Sequence, residues 1–392
     1  MRINQSCPKV LVYKTQALPL SETFIREQML HLSEWESVLV CRAIIDTSLD
    51  LSSLNVRLLE ENNSFLSKVF RYIRRTMKWA ATGDLKALRK ENGQVMHVHF
   101  GTEAVRVWPL VKALGLPMLV TLHGYDINTY KDWWKSGGGG RRMKNYPSQL
   151  LRLSKYQDVQ FIAVSDAIKK RAIEYGISPK KIHVRYIGVD TDKFVPGPTP
   201  IEERKNILFV GRLVEKKGCR YILEAFQIVQ EDYPDINLTI IGVGPLEEEL
   251  EKFAKRNGVR ATFLGAQTPA QVRKNLDKAR MMCLPSIVAT NGDAEGFGIV
   301  LLEAQACGVP VITSASGGAQ EGVVNGLTGF THDEKDVGAM VKAMRILLND
   351  GKRANEMGIA ARCYILKNMD VKRCTRELES LYCQVLSDSE CR

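Results

Sequence analysis

The sequence predicts an α/β protein of two domains, each built around an open parallel sheet. Short apolar runs alternate with stretches of helical periodicity, a pattern typical of parallel strands connected by helices. The length of 392 residues also favours more than one domain. The alternation is interrupted once near the middle, by Gly-Pro-Thr-Pro at 197–200. Because prolines at this density stiffen a chain, we expect a domain boundary there.

The composition is that of an ordinary globular protein, with 45% hydrophobic and 25% charged residues. No apolar run approaches the roughly 20 residues that span a bilayer, and residues 1–8 lack the apolar core of a signal peptide. The nine cysteines are scattered and never form C-x-x-C, so we expect neither disulfides nor structural zinc. These features favour a reducing cytoplasm.

The net charge is +11, which is typical of proteins that bind nucleic acid, an anionic membrane surface or phosphorylated substrates. No helix-turn-helix, zinc finger or aromatic RNA-binding motif is present, so we expect no nucleic acid partner. A membrane surface and phosphorylated substrates remain.

Elements in the first half alternate as the fold class requires. A strand over 9–16 leads to a helix near Ser21, which is a good N-cap residue. The other predicted strands are 35–43, 56–59, 95–100, 117–122, 159–165 and 181–187, and the other predicted helices are 65–80, 103–114 and 166–175.

Two basic segments of the first half could contact an anionic membrane. The predicted helix 65–80 has an apolar stripe and a face of five lysines and arginines. Residues 131–144 are predicted to form a loop with Trp133 and Trp134, and exposed tryptophans beside lysine and arginine suit a membrane interface or a carbohydrate acceptor. The alternatives are a domain helix with a solvated basic face and an unstructured surface loop.

Histidines stand at two strand exits. His97 and His99 share one strand face, but no third metal ligand is near, so we expect His99 to line the crevice at the carboxyl edge. His123 follows strand 117–122 and precedes Gly124. A histidine at this position in an open sheet faces the ligand crevice.

In the second half, Arg212 and Lys217 follow strand 206–210. An arginine fork and a lysine point charge together suit a diphosphate. Gly242 and Gly244 form a tight turn that lets a ligand approach the backbone, although the third glycine of a dinucleotide fingerprint is absent. Further strands are predicted at 206–210, 237–241, 261–264, 280–284 and 309–314, with helices at 219–233, 246–256, 298–306, 334–348, 352–366 and 371–386.

The most informative segment is 291–318, in which Glu295 and Glu303 are eight positions apart. Glu295 precedes the predicted helix 298–306, and Glu303 lies about two turns into it. Loop amides and a helix N-terminus attract an anion, and paired carboxylates accept hydrogen bonds from sugar hydroxyls. A phosphate beside a sugar indicates a nucleotide sugar.

Glu-Gly-Phe-Gly-Ile-Val-Leu-Leu-Glu at 295–303, followed by Ala-x-Ala-x-Gly-Val-Pro-Val-Ile, resembles the motif of glycosyltransferase family 4. Members are retaining enzymes of the GT-B fold, in which two doubly wound Rossmann-like domains face each other across a cleft. The resemblance implies an acceptor domain at 1–198, a nucleotide-sugar domain at 199–369 and a final helix at 370–392 that returns to the first domain.

The resemblance also implies roles for the site residues. Arg212 and Lys217 neutralise the leaving diphosphate without a metal ion, and Glu303 holds the ribose. Glu295 holds the sugar ring, which His123 approaches from the other domain. The expected donor-binding residues are Arg212, Lys217, Gly242, Gly244, Gly265, Glu295, Gly296, Phe297, Gly298, Ile299 and Glu303, and no cofactor or metal is expected.

The turn after the first strand lacks the glycine pair of many relatives, and its Ser-Glu-Thr-Phe at 21–24 resembles a subgroup that makes bacterial exopolysaccharides. This resemblance predicts hexose transfer, with a UDP-hexose preferred, to a polyprenyl-diphosphate-linked saccharide at the inner face of the plasma membrane. GDP-mannose is the alternative donor. An NAD-dependent oxidoreductase and a non-catalytic saccharide-binding scaffold are the alternative classes. The donor sugar, acceptor, linkage and oligomeric state are left open.

Overall fold

The computed structural model describes residues 7–45, 49–59, 80–315 and 317–390. Contacts divide the chain into two compact units. The first unit comprises 1–164, 168–186 and 372–392, and the second comprises 165–167 and 187–371, as far as these residues are described. The basic helix predicted at 65–80 lies outside the described residues except for Ala80.

The first unit contains a parallel sheet in the order β3-β2-β1-β4-β5-β6-β7. The strand order reverses between β1 and β4, which creates the switch point where open α/β sheets bind ligands. The strands are β1 (Lys9–Tyr13), β2 (Glu36–Cys41), β3 (Asn55–Leu58), β4 (Val95–His99), β5 (Met118–Leu122), β6 (Val159–Ala163) and β7 (Ile182–Val184). The helices are α1 (Thr23–Leu30), α2 (Thr82–Lys90), α3 (Gly101–Leu114), α4 (Tyr125–Asn128), α5 (Lys131–Ser136), α6 (Tyr146–Leu153) and α7 (Asp166–Tyr175).

The second unit contains a parallel sheet in the order β10-β9-β8-β11-β12-β13, with its switch point between β8 and β11. Its strands are β8 (Asn206–Val210), β9 (Asn237–Ile241), β10 (Ala261–Phe263), β11 (Ala279–Leu284), β12 (Val311–Ser314) and β13 (Gly329–His332). Its helices are α8 (Cys219–Asp232), α9 (Glu247–Arg256), α10 (Pro269–Leu276), α11 (Ile299–Ala306), α12 (Val337–Asn349) and α13 (Gly351–Asn368).

The last helix, α14 (Val371–Glu390), supplies part of the first unit's core. An apolar stripe of this helix is buried against apolar side chains of β1, β2 and α1. The carboxylate of Glu379 also accepts hydrogen bonds from the backbone amides of Ser33, Glu34 and Trp35. The stripe consists of Leu378, Leu381, Tyr382 and Val385.

Several elements differ from the predictions. The helix after β1 begins at Thr23, and Ser21 lies inside a preceding 3-10 turn (Leu20–Glu22), so Ser21 is not an N-cap and no side chain caps either element. The strand β13 and the helices α2, α4, α5, α6 and α10 were not predicted. Across the described ranges, no helix is both long and apolar enough to cross a bilayer.

The predicted exposed tryptophan loop at 131–144 is wrong. Trp134 is 1% exposed and packs edge-on against Tyr125 and at a tilt against Tyr146, with ring centroids 5.2 and 4.7 Å away. Trp133 is partly buried against Trp134. The segment is ordered by α5 and by a 3-10 turn, Arg141–Met143. The indoles therefore belong to an aromatic cluster, while the cations Lys135, Arg141, Arg142 and Lys144 are exposed to the solvent.

Candidate active site

The candidate site of the second unit lies at the switch point of its sheet, where the loops after β8 and β11 meet. A 3-10 turn (Glu215–Lys217) follows β8 and carries Lys217. The loop after β11 carries Glu295 and leads into α11. Because β8 and β11 are neighbouring parallel strands, their carboxyl ends bring these loops together at the edge where open α/β sheets bind ligands.

Lys217 and Glu295 form an ion pair through Nζ and Oε2. Both side chains are shielded, with 13% and 11% of their surfaces exposed. Burial alone would raise the pKa of Glu295, but the charges of Lys217, Lys216 and Arg212 outweigh it and lower the pKa to about 2. Glu295 is therefore an anion, able to accept hydrogen bonds from hydroxyls at any ordinary pH.

The two residues before Lys217 hold the same loop at other points. Glu215 accepts hydrogen bonds from the amide and the hydroxyl of Thr290, at 3.1 and 2.9 Å. Lys216 pairs with Asp293 at 3.0 Å and also lies 3.4 Å from the carbonyl oxygen of Ala294. Three consecutive side chains of one turn thus fix the loop on which Glu295 lies. Sequence reasoning missed Lys216 and Asp293, which no local pattern connects across 77 residues.

The backbone of Glu295 is held from its other side by the turn after β12. The amide of Gly318 donates to the carbonyl oxygen of Glu295 at 3.1 Å. Gly317 has φ +59°, and a Cβ at this position would lie 2.4 Å from that oxygen. Since only glycine has no Cβ, the glycine lets this turn approach the loop closely enough to support Glu295.

The helix α11 begins at Ile299, directly after Gly298, whose φ is +77°. Phe297 is buried, which anchors the approach to the helix. Glu303 is partly buried and is the fifth residue of the helix, so it lies about one turn from the N-terminus, and the predicted two turns are wrong. The loop amides before Ile299 and the first turn of the helix can receive an anionic group.

Arg212 lies in the loop between β8 and the 3-10 turn. Its side chain is exposed and makes no ion pair with the part of the chain that the structure describes.

The glycines of the turn after β9 pack against this loop. A Cβ on Gly242 would lie 1.9 Å from the carbonyl oxygen of Gly211, and one on Gly244 would lie 2.3 Å from the carbonyl oxygen of Leu213. These two glycines therefore allow close packing against the loop that carries Arg212. This packing is sufficient to explain why glycine stands at both positions, and the approach of a ligand to their backbone stays a prediction. Gly265 accepts a hydrogen bond from the amide of Gly242 at 2.8 Å.

In the first unit, three histidines form a ladder at the carboxyl ends of β4 and β5. His97 bonds Tyr382 and Thr121, each at 2.7 Å. Nδ1 of His99 lies 3.0 Å from Nε2 of His123, so these two rings share one hydrogen bond. Burial is the main cause that lowers all three pKa values, to about 3 for His97 and well below the usual value for the other two. The ladder is therefore neutral, and partly buried His123 is its outermost ring.

Asp126 organises this edge, and sequence reasoning gave it no role. The residue is fully buried. Its carboxylate accepts hydrogen bonds from the amides of His123, Gly124 and Gly101 at 3.0, 3.1 and 2.7 Å. One carboxylate thus joins the turn after β5 to the start of α3. The sequence did contain a signal for this role, an aspartate three residues after the histidine that follows β5. Aspartate side chains often accept hydrogen bonds from backbone amides in turns.

A second residue without a predicted role is Lys14, just beyond β1. It is 6% exposed, and its ammonium lies 2.9 Å from Glu22 and 4.2 Å from the centroid of the Phe100 ring. The turn that lacks the relatives' glycine pair therefore carries a shielded cation at the switch point of the first sheet.

Two family models match the chain. The model described as "Glycosyltransferase Family 4" matches residues 48–193, and the model described as "Glycosyl transferases group 1" matches residues 190–363. The two matches overlap at 190–193 and together extend over most of the chain, from β3 to β13.

Individual proteins are also similar. The chain is 37% identical over 286 residues to a GDP-mannose-dependent alpha-(1-6)-phosphatidylinositol monomannoside mannosyltransferase of Mycolicibacterium smegmatis, covering 69% of this chain and 72% of the relative. It is 28% identical to the putative colanic acid biosynthesis glycosyltransferase WcaL of Escherichia coli K12, covering 64% of this chain and 60% of the relative. The crystal structure of Anabaena HepE with UDP and glucose matches with a TM-score of 0.77 at 17% identity, covering 95% and 99% of the two chains.

Two Rossmann-like domains with these strand orders are the GT-B architecture, and the fold and the relatives together define a glycosyltransferase. The chain belongs to glycosyltransferase family 4.

Proposed function

We propose that this protein is a retaining hexosyltransferase that uses a nucleoside diphosphate sugar without a metal ion and extends a lipid-linked exopolysaccharide precursor. The observation that carries the proposal is the shielded Lys217–Glu295 pair at the switch point, directly before the N-terminus of α11. A cation there suits a diphosphate, and the carboxylate suits the hydroxyls of the attached sugar.

In the proposed reaction, the acceptor hydroxyl attacks the anomeric carbon on the face from which the nucleoside diphosphate departs. The bond between that carbon and the phosphate oxygen breaks, and the departing phosphate takes the acceptor's proton. Arg212 and Lys217 stabilise the negative charge that grows on the leaving group. Glu295 holds the sugar ring, Glu303 holds the ribose, and neutral His123 contacts the transferred sugar.

Two donors are candidates. A UDP-hexose, glucose or galactose, is the donor that the exopolysaccharide resemblance favours, and WcaL is a relative of that kind by its name. GDP-mannose is favoured by the mannosyltransferase relative at 37% identity. Arg212, Lys217 and Glu295 suit the diphosphate and the sugar of either donor, so a binding experiment has to distinguish the two.

For the acceptor, we propose a polyprenyl-diphosphate-linked saccharide reached at an anionic membrane surface. Its support is the net charge of +11 and a basic segment, residues 135–144, whose cations are exposed while the neighbouring Trp134 is buried and Trp133 is partly buried. Exposed cations are attracted to anionic lipids by about 1 kcal/mol each. The cations of the basic segment are Lys135, Arg141, Arg142 and Lys144.

Thermal-shift measurements with UDP, GDP, ADP and NADH test the proposal. A ligand that binds only the folded state stabilises it by roughly 2.7 kcal/mol at one hundred times its dissociation constant. We expect a shift with UDP or with GDP, and the nucleotide that gives it selects the donor. A shift with NADH alone, or with none of the four, would contradict a nucleotide-sugar site.

A further inference from the structure

Lys216 and Lys217 are adjacent in sequence, but their ammonium groups are held in different ways. Nζ of Lys216 has two oxygen neighbours, from Asp293 at 3.0 Å and from the carbonyl of Ala294 at 3.4 Å. Lys216 is 7% exposed, and its own carbonyl oxygen accepts from the amide of Ile287 at 2.9 Å. Lys216 is thus fixed by both its side chain and its backbone.

Lys217, in contrast, has one partner for its ammonium group within the described chain, the carboxylate of Glu295. The proposed function requires both members of this pair to bind the donor instead of each other, since Lys217 has to bind the diphosphate and Glu295 has to bind the sugar. A shielded ammonium without a counter-charge is costly, so neither member can be released unless a new partner replaces the old one.

Resting on the proposed function, we propose that Lys217 changes partner when the donor binds, from Glu295 to the diphosphate, and that Lys216 does not. The diphosphate replaces the carboxylate as the counter-charge of Lys217. The sugar hydroxyls then occupy the oxygens of Glu295 that Lys217 has left. Both exchanges are completed by one ligand only if that ligand carries a diphosphate and a sugar together.

Lys216 is the positioning residue of this exchange. Its pair with Asp293 keeps the loop in place when the Lys217–Glu295 pair opens. Its charge also remains near Glu295, where it helps to keep the carboxylate ionised after Lys217 has turned to the diphosphate. Glu295 therefore stays an anion that can accept hydrogen bonds from the sugar.

The exchange has a consequence that a purely supporting role for Glu295 would not produce. A nucleoside diphosphate without a sugar has to displace Glu295 from Lys217 but offers Glu295 nothing in return. Neutralising Glu295 removes this competition and one repelling charge. The variant Glu295→Gln is thus expected to bind the bare nucleoside diphosphate more tightly than the wild type does.

The test is isothermal titration of UDP and of GDP into the full-length wild type, Glu295→Gln and the matched control Asp293→Asn. The control removes the charge that pairs with Lys216 and leaves the Lys217–Glu295 pair in place. We expect Glu295→Gln to tighten binding of the nucleotide by about fivefold or more, which is the usual size of such a coupling. Asp293→Asn is expected not to tighten it, because the amide oxygen of asparagine can still accept from Lys216, which the carbonyl oxygen of Ala294 and the amide of Ile287 also hold.

The exchange would be overturned if Glu295→Gln bound the nucleotide no more tightly than the wild type, or if Asp293→Asn tightened binding as much as Glu295→Gln does. In either case, binding of the nucleotide by the wild type would still support the proposed function. Absence of UDP and GDP binding by the folded wild type would overturn both. If Glu295→Gln does not fold, as judged by its melting transition, Glu295→Ala replaces it with the same expected direction.

Discussion

The backbone amide of His123 donates a 3.0 Å hydrogen bond to Oδ1 of Asp126. The same carboxylate accepts hydrogen bonds from the amides of Gly124 and Gly101. Asp126 therefore fixes the position of His123 at the end of β5, although Asp126 is buried and contacts no proposed substrate.

Substituting Asp126→Asn is predicted to destabilise the first unit by about 1 to 3 kcal/mol, because an amide nitrogen cannot accept and leaves a buried N–H without a partner. Transfer activity is expected to fall as well, since the turn that carries His123 shifts. Chemical denaturation and initial rates measure the two effects. Asp132→Asn is the control, since this carboxylate is 91% exposed and its pair with Lys135 contributes little. Equal effects of the two variants would contradict the role of Asp126.

Acid is predicted to destabilise the first unit below about pH 6.5, the usual histidine pKa. His97, His99 and His123 have lower pKa values folded than unfolded, so the unfolded chain binds protons more readily. Their stabilising effect is complete above the unfolded pKa and is lost as the pH falls toward the folded values, about 3 for His97. Each contributes a slope of up to about 1.4 kcal/mol per pH unit.

All five tryptophans precede residue 135, so intrinsic fluorescence follows the first unit. Denaturant midpoints should decrease steadily from about pH 7 to about pH 4.5. His97→Gln should make the unfolding free energy less dependent on pH, because close to one proton fewer is taken up on unfolding. A midpoint that is constant over this range would show that the histidines are not held neutral.

Gly317→Ala is predicted to reduce turnover by about tenfold or more, because its Cβ would displace the Glu295 backbone and small shifts of a reacting group are costly. Gly326→Ala is the matched control, since Gly326 has a similar φ of +79° but open space around its Cβ. Both variants should lose about 1 kcal/mol of stability to left-handed strain. Equal turnover in the two would show that the turn does not support Glu295.

The basic segment is predicted to bind anionic membranes through its cations and without its tryptophans. Sedimentation with vesicles containing phosphatidylglycerol measures this binding. Replacing Arg141, Arg142 and Lys144 by serine should cost about 1 kcal/mol of binding free energy per charge. The matched control replaces three exposed cations of α9, Lys252, Lys255 and Arg256. If the control weakens binding equally, net charge and not this segment attracts the membrane.

The sheets were largely predictable because parallel strands buried on both faces are continuous apolar runs, as in β1 and β5. β13 was missed because four residues with a leading glycine carry little pattern, and its pairing with β12 supplies what the local sequence lacks. Helix α10 had a usable signal, the capping box formed by Thr268 and Gln271 with Pro269 at the first helical position.

Within the site, the residues with family motifs were predictable and their supports were not. Glu295 and Lys217 lie in recognisable patterns, but the pair of Lys216 with Asp293 joins two loops far apart in the chain. The burial of Trp134 depends on Tyr146, twelve positions away, and no periodicity of a single element shows that contact. Partners set by tertiary packing were therefore found only in the structure.

We expect the loops after β8 and β11 to activate a nucleotide sugar. Release of UDP or GDP from UDP-glucose, UDP-galactose and GDP-mannose, measured for the wild type, Lys217→Ala and Glu295→Ala, tests it most directly. We predict that the wild type hydrolyses one of these donors slowly without an acceptor, and that both variants lose most of this activity while their melting transitions show that they stay folded. Near wild-type release by either folded variant, or no release from any donor by the wild type, would show that these loops do not activate a nucleotide sugar.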